Sequence, residues 1–298
     1  MAKYFIGTAG WSYKDWEGIV YPAGKERGFH PLIFLGQFIN IIEINSTFYR
    51  QPVLRMCLSW VRRVEGFPEF LFAVKLNQVF THKTQDLSQK DFDDFKTGIE
   101  PLRAHERLAA ILIQFPWSFA NTVANTHYLV NLFERLADYP LALEVRHGSW
   151  SDSRFFGILA EHRVCYVNID QPVIGNSLKP SSIATNPEFA YVRLHGRNYR
   201  NWFKQDAGRD ARYDYLYTKN ELEEWVERIK QLGKKSGKVF VITNNHYRGQ
   251  AMANALQIRN RITGDKLDIP ESLVKEYPIL KQLIDRARKG QLDLFSEE

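Results

Sequence analysis

An α/β fold of the (β/α)8 TIM-barrel type is predicted for this 298-residue chain by three observations. Eight short apolar runs recur along it, and most end in polar or charged residues. The stretches between them are mostly long enough for a helix. At the run ends, polar side chains recur at spacing two, which puts both members of a pair on one strand face. Buried strands alternating with helices build a parallel sheet, and eight such units close a barrel. In that fold the C-terminal strand ends line the active site. A single barrel domain is expected over 1–264, followed by a C-terminal helical extension over 265–290 and a flexible tail over 291–298.

The first run, YFIGTAGW from Tyr4, leads into an aromatic insertion over 12–30 that carries Tyr13, Trp16 and Tyr21. A short apolar helix over 31–40 precedes the second run, IIEIN from Ile41. Residues 53–65 place Val53, Met56, Cys57, Trp60 and Val64 on one helical stripe. FLFAVKLN from Phe70 is the third strand. A polar helix over 88–108 follows, with a break expected at Pro101, which has no amide donor. AAILIQF from Ala109 and LALEVRH from Leu141 are the fourth and fifth strands, each followed by a helix, over 125–139 and 150–162. CYVNID from Cys165 is the sixth strand. The segment 171–188 holds Pro172, Gly175, Pro180 and Pro187 and carries no convincing helix. FAYVRLHG from Phe189 is the seventh strand. A long insertion over 197–217 follows, with Arg197, Tyr199, Arg200, Trp202, Lys204, Arg209, Arg212, Tyr213 and Tyr215. Thr218 and Glu221 form a capping box that opens a helix ending near Gly233. KVFVITNN from Lys238 is the eighth strand, and a helix over 248–262 completes the unit. Both insertions follow strands, which places them over the site.

Apolar residues make up 44% of the chain, enough for a large core. The formal charge of +6 is spread over the whole length, so it permits a polyanionic partner without requiring one. Cys57 and Cys165 sit in apolar surroundings and read as reduced core thiols. There is no signal-peptide pattern, and no apolar run approaches the roughly 18 residues of a membrane helix. A cytoplasmic protein with no membrane partner is expected.

The spacing-two pairs are Glu43 with Asn45, Lys75 with Asn77, Glu144 with Arg146, Asn168 with Asp170, and Arg193 with His195. Gln114 and Asn244 are single additions. All are expected to point into the barrel mouth. Glu43, Glu144, Asp170 and His195 are the candidate catalytic groups, because carboxylates in different surroundings can divide acid and base roles. Trp11, Asn45, Lys75, Gln114, Arg146, Arg193, Asn244 and His246 are the candidate ligand-binding groups, with cations and amides suited to a phosphate or carboxylate. A competing reading is structural. Lys75, Arg146 and Arg193 balance Glu43, Glu144 and Asp170, as buried charges must be balanced. His195 and His246 lack the HxH, HExxH or Cys-pair spacing of a metal site, so no metal is assigned, and the cofactor is unknown. Phosphate-binding glycine loops and a G-x-S-x-G nucleophile elbow are absent.

At these strand ends the chain resembles the YecE-like family, also called domain-of-unknown-function family 72. The matching segments are GTAGWSYKDWEG, EINSTFY, FAVKLN, ILIQFPWSF, LEVRHGSW, YVRLHGR and TNNHYRGQAMANALQI, over about residues 4 to 262. The resemblance implies a TIM barrel and groups the strand-end residues together without naming their roles. Barrel relatives that cut DNA at damaged sites are a fold-level analogy, because their metal-ligating histidine set is not matched here.

The tail Gln291-Leu292-Asp293-Leu294-Phe295 resembles the pentapeptide by which bacterial proteins dock on the DNA polymerase sliding clamp. Leu292, Leu294 and Phe295 would enter apolar pockets, and Gln291 would supply an orienting amide. The alternative is a tail that folds back onto the barrel. Three functions therefore stay open. One is a hydrolase acting on nucleic acid or nucleotides, recruited to DNA by the clamp. Another is an isomerase or hydrolase of a phosphorylated or carboxylated metabolite. The third is a non-catalytic clamp-associated adaptor.

Overall fold

The strands form where the apolar runs lie: β1 (Lys3–Ala9), β2 (Ile41–Ile44), β3 (Leu71–Lys75), β4 (Leu108–Gln114), β5 (Leu141–Glu144), β6 (Cys165–Asp170), β7 (Phe189–Leu194) and β8 (Lys238–Thr243). All pairings are parallel, and β1 pairs with β8 to close the barrel. The computed structural model describes residues 2–24, 27–83, 87–202, 204 and 209–284. The tail residues Gln291, Leu292, Asp293, Leu294 and Phe295 lie outside the described residues. No described helix is long and apolar enough to cross a membrane.

Register decides which side chains enter the barrel. Laterally paired residues share a face, and alternation along each strand carries that face to the next position. Ala9 pairs with Glu43, Glu43 with Ala73, and Ala73 with Ala110. Gln114 pairs with Glu144. Arg193 pairs with Ile169 and with Ile242. Glu43, Lys75, Gln114, Glu144, Arg193 and Asn244 thus share the inner face. The same register corrects one expectation. Because Ile169 is inward beside Arg193, Asn168 and Asp170 face outward, toward the surrounding shell.

The reason lies in the connection after β6. Residues 171–188 form no helix, so polar groups of β6 anchor an irregular segment instead. The Asn168 side chain accepts from the Ile183 amide and the Ser181 hydroxyl and donates to the Ile183 carbonyl. Thr185 accepts from the Tyr166 amide and donates to the Val164 carbonyl. Side chains thereby satisfy backbone groups of Val164, Tyr166 and Ile183 where no helix follows the strand.

The expected helices appear at Pro31–Leu35, Leu54–Arg63, Gln89–Ala104, Val123–Arg135, Ser153–Glu161, Lys219–Gly233 and Gln250–Thr263. Ser88 with Asp91 and Thr218 with Glu221 close capping boxes at two of their starts. Gln89–Ala104 runs through Pro101 rather than breaking there. In the same helix Gly98 lets the backbone approach Pro52. A Cβ at this position would stand 2.2 Å from the Pro52 carbonyl oxygen. After Gly264 come a short helix, Glu271–Glu276, and a 3-10 turn, Pro278–Leu283. Leu273, Leu280 and Leu283 are buried in the common core, and the Tyr277 hydroxyl donates to the Arg248 carbonyl at 2.7 Å.

Candidate active site at the barrel mouth

Arg193 stands at the centre of the inner face and is only 2% exposed. Its Nη1 donates to Glu144 Oε2 at 2.5 Å and its Nη2 to Glu43 Oε1 at 2.6 Å. Both carboxylates are fully buried. The second oxygen of Glu43 accepts the Tyr191 hydroxyl at 2.9 Å. Glu144 Oε1 faces Arg146, whose Nε and Nη2 each lie 2.9 Å away. Burial pushes the Glu144 carboxyl up, but Arg193, His195 and Arg146 together hold it well below the usual carboxylate range. Tyr191 is the partner that spacing analysis missed. It lies two residues before Arg193 on the same face, where an aromatic reads as core.

His195 is fully buried beside Glu144. Its Nε2 is 3.2 Å from Glu144 Oε1, although poorly aligned for a hydrogen bond. Its Nδ1 is 2.9 Å from the Asn244 amide nitrogen. With Asn244 donating, Nδ1 is the acceptor and Nε2 carries the proton. Burial brings the ring down to about 3, against the pull of Glu144, so His195 is neutral at physiological pH.

Above this buried layer opens a cavity of about 360 Å³. It is lined by Tyr13, Asn45, Tyr49, Lys75, Gln114, Arg146, Arg193, Arg212, Tyr213, Asn244 and His246. Seven of the eight expected ligand-binding residues meet here. The eighth, Trp11, packs edge-on against Trp60 and does not line the cavity. Of the four expected catalytic residues, Glu43, Glu144 and His195 lie beneath the cavity rather than on its wall. Asp170 lies elsewhere, on the outer side of β6. Its carboxylate takes Arg197 Nε at 2.9 and 3.1 Å, and burial outweighs that contact and raises its pKa. Asn77 is drawn off as well. Its side chain caps the turn Gln78–Thr81 and donates to the Thr47 carbonyl.

The expected three-against-three charge balance is therefore not what forms. Arg193 serves two carboxylates, Arg146 shares one of them, and Asp170 is satisfied by Arg197. Lys75 has no ion pair or hydrogen bond through its amine among the described residues. Its Nζ sits 4.0 Å above the Phe48 ring. Burial and the Arg193 charge bring this amine down to about 7, against the pull of Glu43 and Glu144, with Arg146 adding to the fall.

The rim comes from the two insertions. Gly10 adopts a left-handed conformation (φ 77°), and the turn it permits returns Tyr13 so that its hydroxyl donates to the Ala9 carbonyl at 2.5 Å. The Tyr13 ring stacks on His246 at 4.4 Å, and Tyr213 approaches His246 at 5.1 Å. The described residues of the insertion after β7, 197–202, 204 and 209–217, form a strap at the mouth. Arg197 ties it to Asp170 and Glu221, and the Asn198 amide binds the Ala211 and Asp214 carbonyls. The strap brings Arg212 and Tyr213 to the cavity and buries Trp202 at 6.1 Å from His195. Tyr199, by contrast, is exposed. Arg193 Nε and Arg212 Nε are buried donors without a hydrogen-bond partner among the described residues. Among those residues no cluster of three or more His, Cys, Asp or Glu side chains is placed to hold a metal.

Comparison with known proteins agrees with this architecture. The model of the family described as "Protein of unknown function DUF72" matches residues 5–276. The chain is 33% identical over 272 residues to the UPF0759 protein YunF of Bacillus subtilis (strain 168), covering 85% of this chain and 93% of that protein. Among solved structures, a DUF72 family protein from Thermotoga maritima MSB8 superposes with a TM-score of 0.75 at 35% identity, covering 87% of this chain and 99% of that one. Another, from Enterococcus faecalis V583, gives 0.77 at 26% identity, covering 89% and 97%.

Proposed function

The chain belongs to the DUF72 family of proteins of unknown function, and from the cavity itself we propose that it is an enzyme acting on a small phosphorylated or carboxylated substrate. The observation that carries this reading is the surplus of cations at the mouth. Lys75, Arg146, Arg193 and Arg212 line one cavity, while the carboxylates beneath it are already neutralised by Arg193 and Arg146. Two buried guanidinium Nε–H groups lack acceptors among the described residues, and a phosphate or carboxylate oxygen supplies such acceptors in charge-assisted form. Asn45, Gln114 and Asn244 add amides that orient the ligand, and Tyr13, Tyr213 and His246 wall the rest of it. Glu43 and Glu144 hold Arg193 in place from below, with the Tyr191 hydroxyl on Glu43 and His195 beside Glu144.

Titration calorimetry with inorganic phosphate and with malonate tests this reading. Binding weakened tenfold or more by Arg146→Gln and by Arg212→Gln supports it. Absent binding, or binding indifferent to both substitutions, overturns it.

A second reading concerns recruitment. The residues Gln291, Leu292, Asp293, Leu294 and Phe295 support docking on a bacterial DNA sliding clamp. In that case the anionic substrate is a nucleotide or the phosphate of a nucleic acid brought near by the clamp, and hydrolysis is the reaction to assay. This reading rests on the pentapeptide alone and is independent of the cavity.

A further inference from the structure

We propose that Lys75 is a covalent catalyst whose amine condenses with the carbonyl carbon of an anionic aldehyde or 2-oxo acid to form an imine in the barrel mouth. This rests on the anion-binding reading of the same cavity and names the reaction performed there.

The geometry sets Lys75 apart from a structural lysine. It ends β3 on the inner face and lines the cavity. Both inner carboxylates are engaged elsewhere: Glu43 by Arg193 and Tyr191, Glu144 by Arg193 and Arg146. The amine is left on the Phe48 ring without a hydrogen-bonded or ionic partner among the described residues. The charged and titratable groups acting on it are Arg193, Glu43, Glu144 and Arg146, with His82 coupled to it from the loop side. Burial and the two guanidinium groups favour loss of its proton, which brings the amine to about 7. A neutral amine on a flexible stem is a nucleophile, whereas the neighbouring arginines stay charged and hold the anion.

The step balances within the site. The Nζ lone pair attacks the carbonyl carbon, and the carbonyl π pair moves to oxygen. Two protons, one from nitrogen and one from solvent water, convert that oxygen to water, which leaves as the C=N bond forms and the nitrogen keeps its other proton. The protonated imine then draws in the electron pair of a bond to the adjacent carbon, releasing a proton or a carbon fragment and giving an enamine. Protonation of the enamine carbon from solvent water restores the protonated imine, and addition of water to that imine releases the carbonyl product, a proton and the free amine. No oxidant or reductant takes part.

Reductive trapping tests the proposal. Full-length protein is treated at pH 7 with limiting glyoxylate and sodium cyanoborohydride, and modified lysines are mapped by peptide mass spectrometry. An amine near 7 is about half neutral at this pH, against roughly one part in a thousand or less for an ordinary lysine. Labelling of Lys75 is expected at least tenfold faster than that of the exposed Lys219, slowed by inorganic phosphate, and absent in Lys75→Arg. Labelling of Lys75 no faster than Lys219 overturns the proposal. Propanal, an uncharged aldehyde, separates the two claims. Selective propanal labelling of Lys75 that phosphate does not slow supports the imine and removes the anion pocket. Phosphate binding that depends on Arg146, with no selective labelling by either aldehyde, keeps the pocket and removes the imine.

Discussion

Arg193 and Glu144, on strands two apart in the barrel wall, meet at 2.5 Å in a setting almost closed to solvent. The same guanidinium reaches Glu43 at 2.6 Å, so one side chain links three strands of the barrel. Its planar fork can serve two carboxylates at once, which an ammonium cannot do in this geometry.

Arg193→Met is therefore expected to destabilise the fold strongly. Removing one partner of a buried charge set leaves the others unpaired, at a cost of about 3–5 kcal/mol. Arg193→Lys should recover only part of that. Urea denaturation followed by tryptophan fluorescence measures both. A loss under about 1 kcal/mol for Arg193→Met would show that water replaces the guanidinium.

Acid should destabilise the protein before the carboxylates titrate. The His195 ring has a pKa of about 3 in the fold against 6.5 in the unfolded chain. Between those values the unfolded chain binds the extra proton, so stability rises with pH and falls as pH drops from 6.5 toward 3. Glu144 acts in the same direction at lower pH. Its carboxyl is held low in the fold, so its contribution is present above the unfolded value and is lost on further acidification. His195→Asn should flatten the upper window and leave the lower one. An unchanged stability profile from pH 6.5 to 4 in that variant would refute this assignment.

Lys75→Met is expected not to lower stability at pH 7, and to raise it if anything, because it removes an unpaired, half-enclosed cation whose protonated form the fold disfavours and keeps the stem volume. Linkage gives a second readout. The amine titrates near 7 in the fold and near 10.5 unfolded, so this group's contribution rises with pH across that window and should be missing from the variant. Phosphate affinity should fall in the same protein. Strong destabilisation by Lys75→Met would mean that the lysine is structural.

Asp170→Asn separates a structural carboxylate from a catalytic one. Asp170 holds Arg197 at the root of the strap, outside the cavity. The substitution should cost about 1–3 kcal/mol and speed amide exchange in residues 197–202 and 209–217. Native stability and exchange rates with abolished turnover would instead mark it as a reacting group.

Clamp docking predicts that full-length protein is retained on an immobilised bacterial sliding clamp, while a chain ending at Gly290 is not. Leu294→Ala with Phe295→Ala should behave like the truncation. Equal retention of all three would take the pentapeptide out of the argument.

Much of the mouth was legible as a pattern. Spacing two on strand ends found Glu43, Asn45, Lys75, Glu144, Arg146 and Arg193, because alternation along a strand is a local property, and Gln114 and Asn244 were added singly as polar strand-end residues. The same rule misplaced Asn168 and Asp170. Both faces of a barrel strand are buried, so apolar neighbours cannot say which polar residue looks inward. Tyr191 was hidden for a related reason, since an aromatic on a buried strand reads as core until its hydroxyl finds a carboxylate. Arg212 and Tyr213 stood out only as members of a basic, aromatic insertion. Their arrival at the cavity depends on the strap tied through Arg197 to Asp170.

The order of strands and helices, the barrel they close and the end at which polar groups gather were determined by sequence alone. They follow from hydrophobic periodicity and from the short reach of each connection. Who pairs with whom was decided only in three dimensions. Arg193 meets Glu43 across 150 residues of chain and Glu144 across 49, and no local rule ranks those pairings above any other charge-balanced set. Lateral register and burial made the choice, because a low-dielectric interior strongly penalises each uncompensated charge. The cation left over at the cavity wall, Lys75, is the consequence that only the folded chain reveals.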